Sequence, residues 1–315
     1  MLSDRASRNL LKIGFFEEMK TPFDQLQAKV PAFINPDSGT AEQVLPLLEE
    51  DSRLEVYALE PVALATKIEE AVRCNVARVI VSGGDGTIAL AASKVAQSET
   101  ELAIVPGGTL NHFSSRLGIP EDTSAAIDLA VSGSTEAVGV GYVNDHLFIN
   151  TSSVGAYVHF VRTRNQLQSD MGYHSASIIA GLRRLIRFRS SRVILDQIKI
   201  RSPLVFVGVE ERELSFPHLG QYQDEGREGL HLIAVKSRSR FDTLKIAINA
   251  ILRGIDPLDK AEKVENNVLD SLQLDFPQKS SKLYVAADGE LVKLESPLRY
   301  RYARNELAVV TQKSQ

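Results

Sequence analysis

The sequence predicts a two-part protein, an α/β domain on a mostly parallel sheet followed by a β-rich half. Three observations carry this expectation. From Val30 to about Gly133, short apolar runs alternate with apolar stripes at helical spacing, the pattern of a sheet covered by helices on both faces. After about Glu136 the texture changes to closely spaced strand-like runs separated by turn residues. At 315 residues the chain also exceeds the usual size of one core.

Taken in order, "VPAFI" (30–34) reads as a strand, and Leu64, Ala65, Ile68, Ala71 and Val72 form the apolar stripe of a helix over 61–74. "ARVIVSG" is the next strand, Ile88, Ala91, Ala92 and Val95 mark a helix over 88–96, and "ELAIVPGG" is a further strand. "DTSAAIDLAVSG" offers a helix cap at Asp122 or Thr123 and a stop at Gly133. In the second half, "AVGVGYVNDHLFIN", "SRVILDQIKI", "PLVFVGV", "GLHLIAV", "NNVLDSLQLDF", "KLYVAADGELVKL" and "ELAVV" are strand-like. Helices are expected over 175–188 and 243–253, and residues 1–12 are expected to fray.

Composition narrows the classes. With 43% hydrophobic and 24% charged residues, the chain has a globular profile, and a net charge of −4 gives no overall attraction to nucleic acid. One cysteine, Cys74, cannot close an intramolecular disulfide, and no Cys/His spacing resembles a zinc site. Without a signal-like or membrane-spanning apolar stretch, the chain reads as cytoplasmic.

Chemistry concentrates in glycine-rich loops at predicted strand ends. "SGGDGT" (82–87) follows a strand and opens a helix, where glycines let backbone N–H groups approach an anion and the helix N-terminus favours negative charge. By itself it could equally be a tight turn. Gly84, Gly86 and Ala89 formally match a dinucleotide fingerprint, but the following strand closes on "PGGT" where a ribose-binding carboxylate is needed. No G-x-x-x-x-G-K-[ST] occurs, which excludes a P-loop of that type. "PGGTLNHFSSRLGIP" (106–120) and "INPDSG" (34–39) also end predicted strands. Three such loops at strand C-termini are expected to converge on one phosphate-bearing ligand.

The motifs "NPDSG", "GGDGT", "PGGTLNHFSSRLGIP" and "ADGE" (287–290), in this order, resemble the diacylglycerol kinase catalytic-domain family, which includes bacterial lipid kinases and sphingosine kinases. The resemblance spans roughly residues 30–312. It implies an N-terminal α/β nucleotide-binding domain of the three-layer type seen in NAD kinases and phosphofructokinases, plus a C-terminal β-sandwich. The expected division is 28–145 with a returning segment 303–312, and 146–302. ATP and Mg²⁺ are implied, with the γ-phosphoryl group passing to a lipid hydroxyl in a cleft between the domains. By the same resemblance, Asn35 and Ser38 belong to the nucleotide loop, Gly83, Gly84, Asp85, Gly86 and Thr87 hold phosphates, and Gly107, Gly108, Thr109 and Asn111 form the opposite wall. Asp85 would anchor the metal, and Asp288, with Glu290 beside it, stands at the position of the proton-accepting base. Asp-Gly between two strand-like runs is also what a tight hairpin turn looks like.

Departures from the family pattern are equally legible. His112 stands where an aspartate of the metal network is common, and Glu228 where many relatives have aspartate before Gly-Leu, at a structural metal site. On the lipid side, residues 177–192 would form a helix with Ile178, Ile179, Leu182, Leu185 and Ile186 on one face and Arg183, Arg184 and Arg187 on the other. Such a helix either contacts a membrane surface peripherally or covers a sheet. A lipid acceptor is the expected partner, nucleic acid is not, and neither the acceptor's identity nor the oligomeric state is encoded legibly. Two competing readings are an NAD-kinase-like enzyme and a non-catalytic nucleotide- or lipid-binding relative.

Overall fold

The computed structural model describes residues 29–155, 191–195, 198–202, 204–212, 223, 226–236, 264–277 and 282–312. The expected helices over 175–188 and 243–253 and residues 1–12 lie outside the described residues, as does the arginine-bearing stretch 177–192 up to residue 190; Ser191 and Arg192 begin a strand.

Strands β1 (Val30–Ile34), β2 (Leu54–Ala58), β3 (Arg78–Gly83) and β4 (Glu101–Pro106) pair in parallel in the order β2-β1-β3-β4. Four consecutive residues of β1 and five of β3 are buried, which suits a sheet covered on both faces. Between them lie α1 (Ala41–Glu50), α2 (Pro61–Arg73) and α3 (Asp85–Val95). The chain steps one way from β1 to β2 and the other way from β2 to β3. Right-handed crossovers therefore put α1 on the face opposite α2 and α3. The packing agrees: α2 contacts α3, while α1 contacts α5 (Thr123–Ser132). The stop at Gly133 and the cap at Asp122, whose carboxylate accepts Ala125 N–H at 2.9 Å, stand where the sequence places them.

Two elements of this half, α1 and β2, are not marked by the periodicity above. A proline, Pro46, sits inside α1, and β2 has one fully buried side chain, so neither gives a clean pattern. The helix expected from Ile88 begins three residues earlier, at Asp85, inside the glycine loop itself.

The second half is antiparallel. Here β5 (Ser134–Val143), β6 (His146–Phe148), β8 (Ser191–Leu195), β9 (Ile198–Ser202) and β13 (Ser271–Asp275) join the first sheet through β16 (Leu298–Thr311). Strand β16 runs parallel to β4 at Val309↔Leu102 and antiparallel to β5 and β13. A separate six-stranded sheet has the order β12-β11-β10-β7-β14-β15. Its strands are β7 (Thr151–Gly155), β10 (Leu204–Val209), β11 (Leu230–Val235), β12 (Val264–Leu269), β14 (Lys282–Ala287) and β15 (Glu290–Glu295). Val193, Leu272, Leu274 and Tyr300 of one sheet share an apolar core with Val205, Val207, Leu232 and Val285 of the other, a face-to-face sandwich.

A distinct first core lies around β1, β3 and β4, and β16 supplies both: Leu298 and Tyr300 to the sandwich, Leu307 and Val309 to the α/β layer. Leu147 and Ile149, beyond residue 145, also pack into the first core. No described helix is long and apolar enough to cross a membrane.

Candidate active site

The sheet order reverses between β1 and β3, so the loops leaving their C-terminal ends turn to opposite faces and open a crevice. All three glycine-containing loops meet there. Asn35 N–H donates to the Ser82 carbonyl at 3.4 Å, and Thr40 N–H to the Gly107 carbonyl at 3.4 Å. The first loop is folded on itself: Asn35 Oδ1 accepts from Asp37 N–H at 3.1 Å, and Ser38 Oγ donates to the Asn35 carbonyl at 2.8 Å. Gly39 faces Thr109, whose Oγ1 lies 4.0 Å from where a Cβ would stand.

The other two loops touch backbone to backbone. Gly107 N–H donates to the Gly83 carbonyl at 2.9 Å. A Cβ on Gly108 would stand 2.5 Å from Gly84 Cα, and one on Gly107 would stand 3.0 Å from Gly83 Cα. Only glycine lets these turns close on each other. Asn111, at φ 49°, ties the second turn: its Oδ1 accepts Gly108 N–H and its Nδ2 donates to the Gly108 carbonyl, both at 2.9 Å. Thr87 packs over Gly83, where a Cβ would lie 2.6 Å from Thr87 Cβ. The N-terminus of α3 opens at this point and favours an anion.

Asp85 is the first residue of α3, and its carboxylate reaches across the crevice. It caps a short helix, α4 (His112–Arg116), accepting His112 N–H on Oδ2 at 3.2 Å and Phe113 N–H on Oδ1 at 3.1 Å. Asn150 Nδ2 donates to the same Oδ1 at 3.4 Å. With about four acceptor positions on a carboxylate and three in use, one remains, on Oδ2. His112 thus serves Asp85 through its backbone, and its side chain is exposed.

The "ADGE" segment is both a hairpin and a carboxylate mount. Asp288 and Gly289, at φ 46° and 85°, form the two-residue turn between β14 and β15. From it the Asp288 carboxylate enters the sandwich end and accepts three consecutive backbone N–H bonds. Ile149 donates to Oδ2 at 2.8 Å, Asn150 to Oδ1 at 2.8 Å and Thr151 to Oδ1 at 2.9 Å. Here too the remaining acceptor position is on Oδ2. Although the turn residue is partly open, its carboxyl group is enclosed, and burial pushes its pKa up to about 6. The three N–H bonds pull the value down and the negative charge of Asp85 adds to the rise; burial outweighs the bonds. Glu290 closes the group, with Oε1 3.4 Å from where a Cβ on Gly86 would stand. His146, beside Glu290, has its pKa lowered by burial, a drop the Glu290 charge partly offsets.

The fold therefore gathers Asn35, Ser38, the glycines, Asp85, Thr87, Thr109 and Asn111 from the α/β layer with Asp288 and Glu290 from the sandwich. No cluster of three or more His, Cys, Asp or Glu side chains suited to a metal occurs among the described residues. Glu228 is exposed and lies 3.8 Å from Arg304. Asn150, unflagged by motif, sits between the two aspartates; the only trace in the sequence is a polar residue ending the apolar run "LFIN". Arg116 was equally silent: its side chain, 3% exposed, donates to the Ile149 carbonyl at 3.1 Å and pairs with Glu210 at 3.2 Å.

Residues 29–143 match the family model described as the diacylglycerol kinase catalytic domain. The chain is 36% identical over 129 residues to a protein named "Probable lipid kinase YegS-like" from Klebsiella pneumoniae (strain 342), covering 40% of this chain and 43% of that protein. It is 32% identical over 149 residues to a diacylglycerol kinase of Staphylococcus epidermidis, covering 44% of this chain and 47% of that one. The matches thus span under half of these relatives' own length. The structure of a diacylglycerol kinase from Bacillus anthracis str. Sterne superposes over 90% of this chain and 97% of that one, with TM-score 0.63 and 20% identity, a likeness of fold. By its matched segment, residues 29–143, the chain is similar to the diacylglycerol kinase catalytic-domain family.

Proposed function

We propose that the chain is a lipid kinase that transfers the γ-phosphoryl group of ATP to a lipid hydroxyl with Mg²⁺ present. The observation that carries this reading is the convergence of two interlocked glycine turns, at a helix N-terminus, with the Asp85 carboxylate of that helix and the enclosed Asp288 carboxylate delivered from the sandwich. Phosphoryl transfer demands little covalent chemistry from the protein and much positioning, which this arrangement suits.

The interlocked turns bring the N-terminus of α3 to the crevice, where its first-turn N–H groups and dipole would suit nucleotide phosphates, while Gly107 and Gly108 use their N–H groups to hold the turns together. One carboxylate together with phosphate and water oxygens is an ordinary Mg²⁺ donor set, and Asp85 keeps one acceptor position for it. When bound, that ion would neutralise phosphate charge. Asp288 is the proposed base: a carboxylate with pKa about 6 is mostly ionised at neutral pH yet more basic than an ordinary one. Its open Oδ2 position would take the acceptor's proton, with Glu290 assisting at the rim. We further propose the division into 28–145 with 303–312, and 146–302, supported by the two apolar cores.

Incubation of the purified chain with γ-labelled ATP, lipid extracts and NAD tests the function. Labelled lipid is expected. Labelled NADP would transfer the chain to the NAD-kinase-like reading, and bound nucleotide with no labelled product would make it a non-catalytic relative.

A further inference from the structure

Asn150 occupies a singular position in the site. It lies in the connection between β6 and β7, and its side chain, with the residue 6% exposed, is buried between two carboxylates. Its main-chain N–H donates to Asp288 Oδ1 at 2.8 Å, while its Nδ2 donates to Asp85 Oδ1 at 3.4 Å. Its carbonyl is fixed from behind, accepting Val209 N–H and Arg212 Nη2, each at 2.9 Å. Its own Oδ1 is buried without a hydrogen-bond partner. Leaving a buried carbonyl oxygen unpaired is unfavourable, and an apolar side chain of similar size would avoid it. The carboxamide's bonding is therefore all at its other end, which holds Asp85.

We propose that Asn150 is a positioning residue that clamps Asp85 and Asp288 into one arrangement, the first through its side chain and the second through its main chain. The proposal rests on the phosphoryl-transfer reading for its effect on rate. The two aspartates come from different domains, α3 on one side and the β14–β15 turn on the other, and repel one another. Among the described residues, Asn150 bonds both. The further charged groups around it are Glu290 and His146 at the rim, Arg212 behind its carbonyl, and Arg116 on the carbonyl of Ile149. Because Asp85 also caps α4, the clamp extends to the second glycine loop.

Packing and clamping make opposite predictions for an isostere. Asn150→Asp keeps the shape and every main-chain bond but sets a carboxylate against Asp85. It is expected to lower kcat about 100-fold, the cost of small misplacement of reacting groups. Asn150→Ala should lower kcat less than Asn150→Asp, and Asn150→Ser, which can still donate, should recover part of what Ala loses. Affinity for a nonhydrolysable ATP analogue without Mg²⁺ should change by less than about threefold in all three, because Asn150 bonds neither glycine turn directly. Near-normal kcat in Asn150→Asp, a Ser variant no better than Ala, or parallel loss of kcat and nucleotide affinity would each overturn the clamp. Where Asn150→Ala does not fold, the Asp and Ser variants carry the same comparison. If the unaltered chain phosphorylates no lipid, the kinase reading fails, and the clamp is judged without activity. In ¹⁵N-labelled protein the His112 and Phe113 amide resonances should move in Asn150→Ser or Asn150→Asp, because Asp85 shifts. Unchanged resonances would reject it.

Discussion

At the scale of single residues, Asp288 is a turn residue that also mounts an enclosed carboxylate, the one proposed as base. Its backbone takes the left-handed conformation of a tight hairpin, and its carboxylate is carried into an enclosed pocket of N–H donors. In the sequence the hairpin and the base can hold together, since a turn is a good place to present a carboxylate; the structure has the hairpin, and the base is the proposal. Asp288→Asn is expected to abolish phosphoryl transfer while leaving ATP binding, as single-turnover assay and nucleotide titration would report. The raised pKa carries two further consequences. If Asp288 is the base, kcat should rise with pH through about 6 and level off above it. For stability the direction is opposite. The native state holds this proton up to about pH 6 and the unfolded chain only to about 4, so stability is favoured below 4 and falls as pH rises to 6. The loss is at most about 3 kcal/mol. Comparing thermal unfolding of wild type and Asp288→Asn between pH 4 and 7 checks this, the variant lacking that decline. Glu211, held near 2 by its Arg227 partner, contributes in the reverse sense at lower pH.

At the scale of elements, the site depends on loops that can approach only without side chains. Gly108→Ala would put a Cβ within 2.5 Å of Gly84 Cα, backbone that cannot rotate away. It should cost about 1–3 kcal/mol of stability, as overpacking does. It should also weaken ATP binding, measured by calorimetric titration; unaltered affinity would remove the interlocked turns from the nucleotide site. Asp85 gives a second handle, since its carboxylate satisfies two N–H groups at the start of α4. Asp85→Ala should lose about 0.5–2 kcal/mol, the usual value of a helix cap, in urea unfolding. The loops themselves were legible, because glycines beside Asn, Ser or Thr after an apolar run have few other physical reasons to recur. The starting residue of α3 was not, since a helix that begins inside a glycine motif has no apolar periodicity there. Asn150 and Arg116 were hidden for another reason. Their partners are carbonyls and carboxylates distant in sequence, and periodicity records only which side chains are apolar.

At the scale of the whole molecule, two cores share one long strand, and the site lies where they meet. The change of texture near residue 136 marks the start of β5, whose pairing with β16 brings the end of the chain back to the first sheet. That return was implied by family resemblance, since local pattern carries no information about which distant strand pairs with which. A buried ion pair helps fix the junction: Arg116, at the end of α4, meets Glu210 beyond β10, and Tyr302 Oη donates to the same carboxylate at 3.2 Å. Breaking it by Arg116→Ala leaves Glu210 partly buried without that partner, and about 3–5 kcal/mol of stability should be lost. The most direct test of the account is transfer of labelled γ-phosphoryl from ATP to a lipid panel by the wild-type chain and by Asp288→Asn. The account predicts a labelled lipid with the wild type and none with the variant at equal nucleotide binding. Equal labelling by both, or no labelled lipid from either, would contradict it.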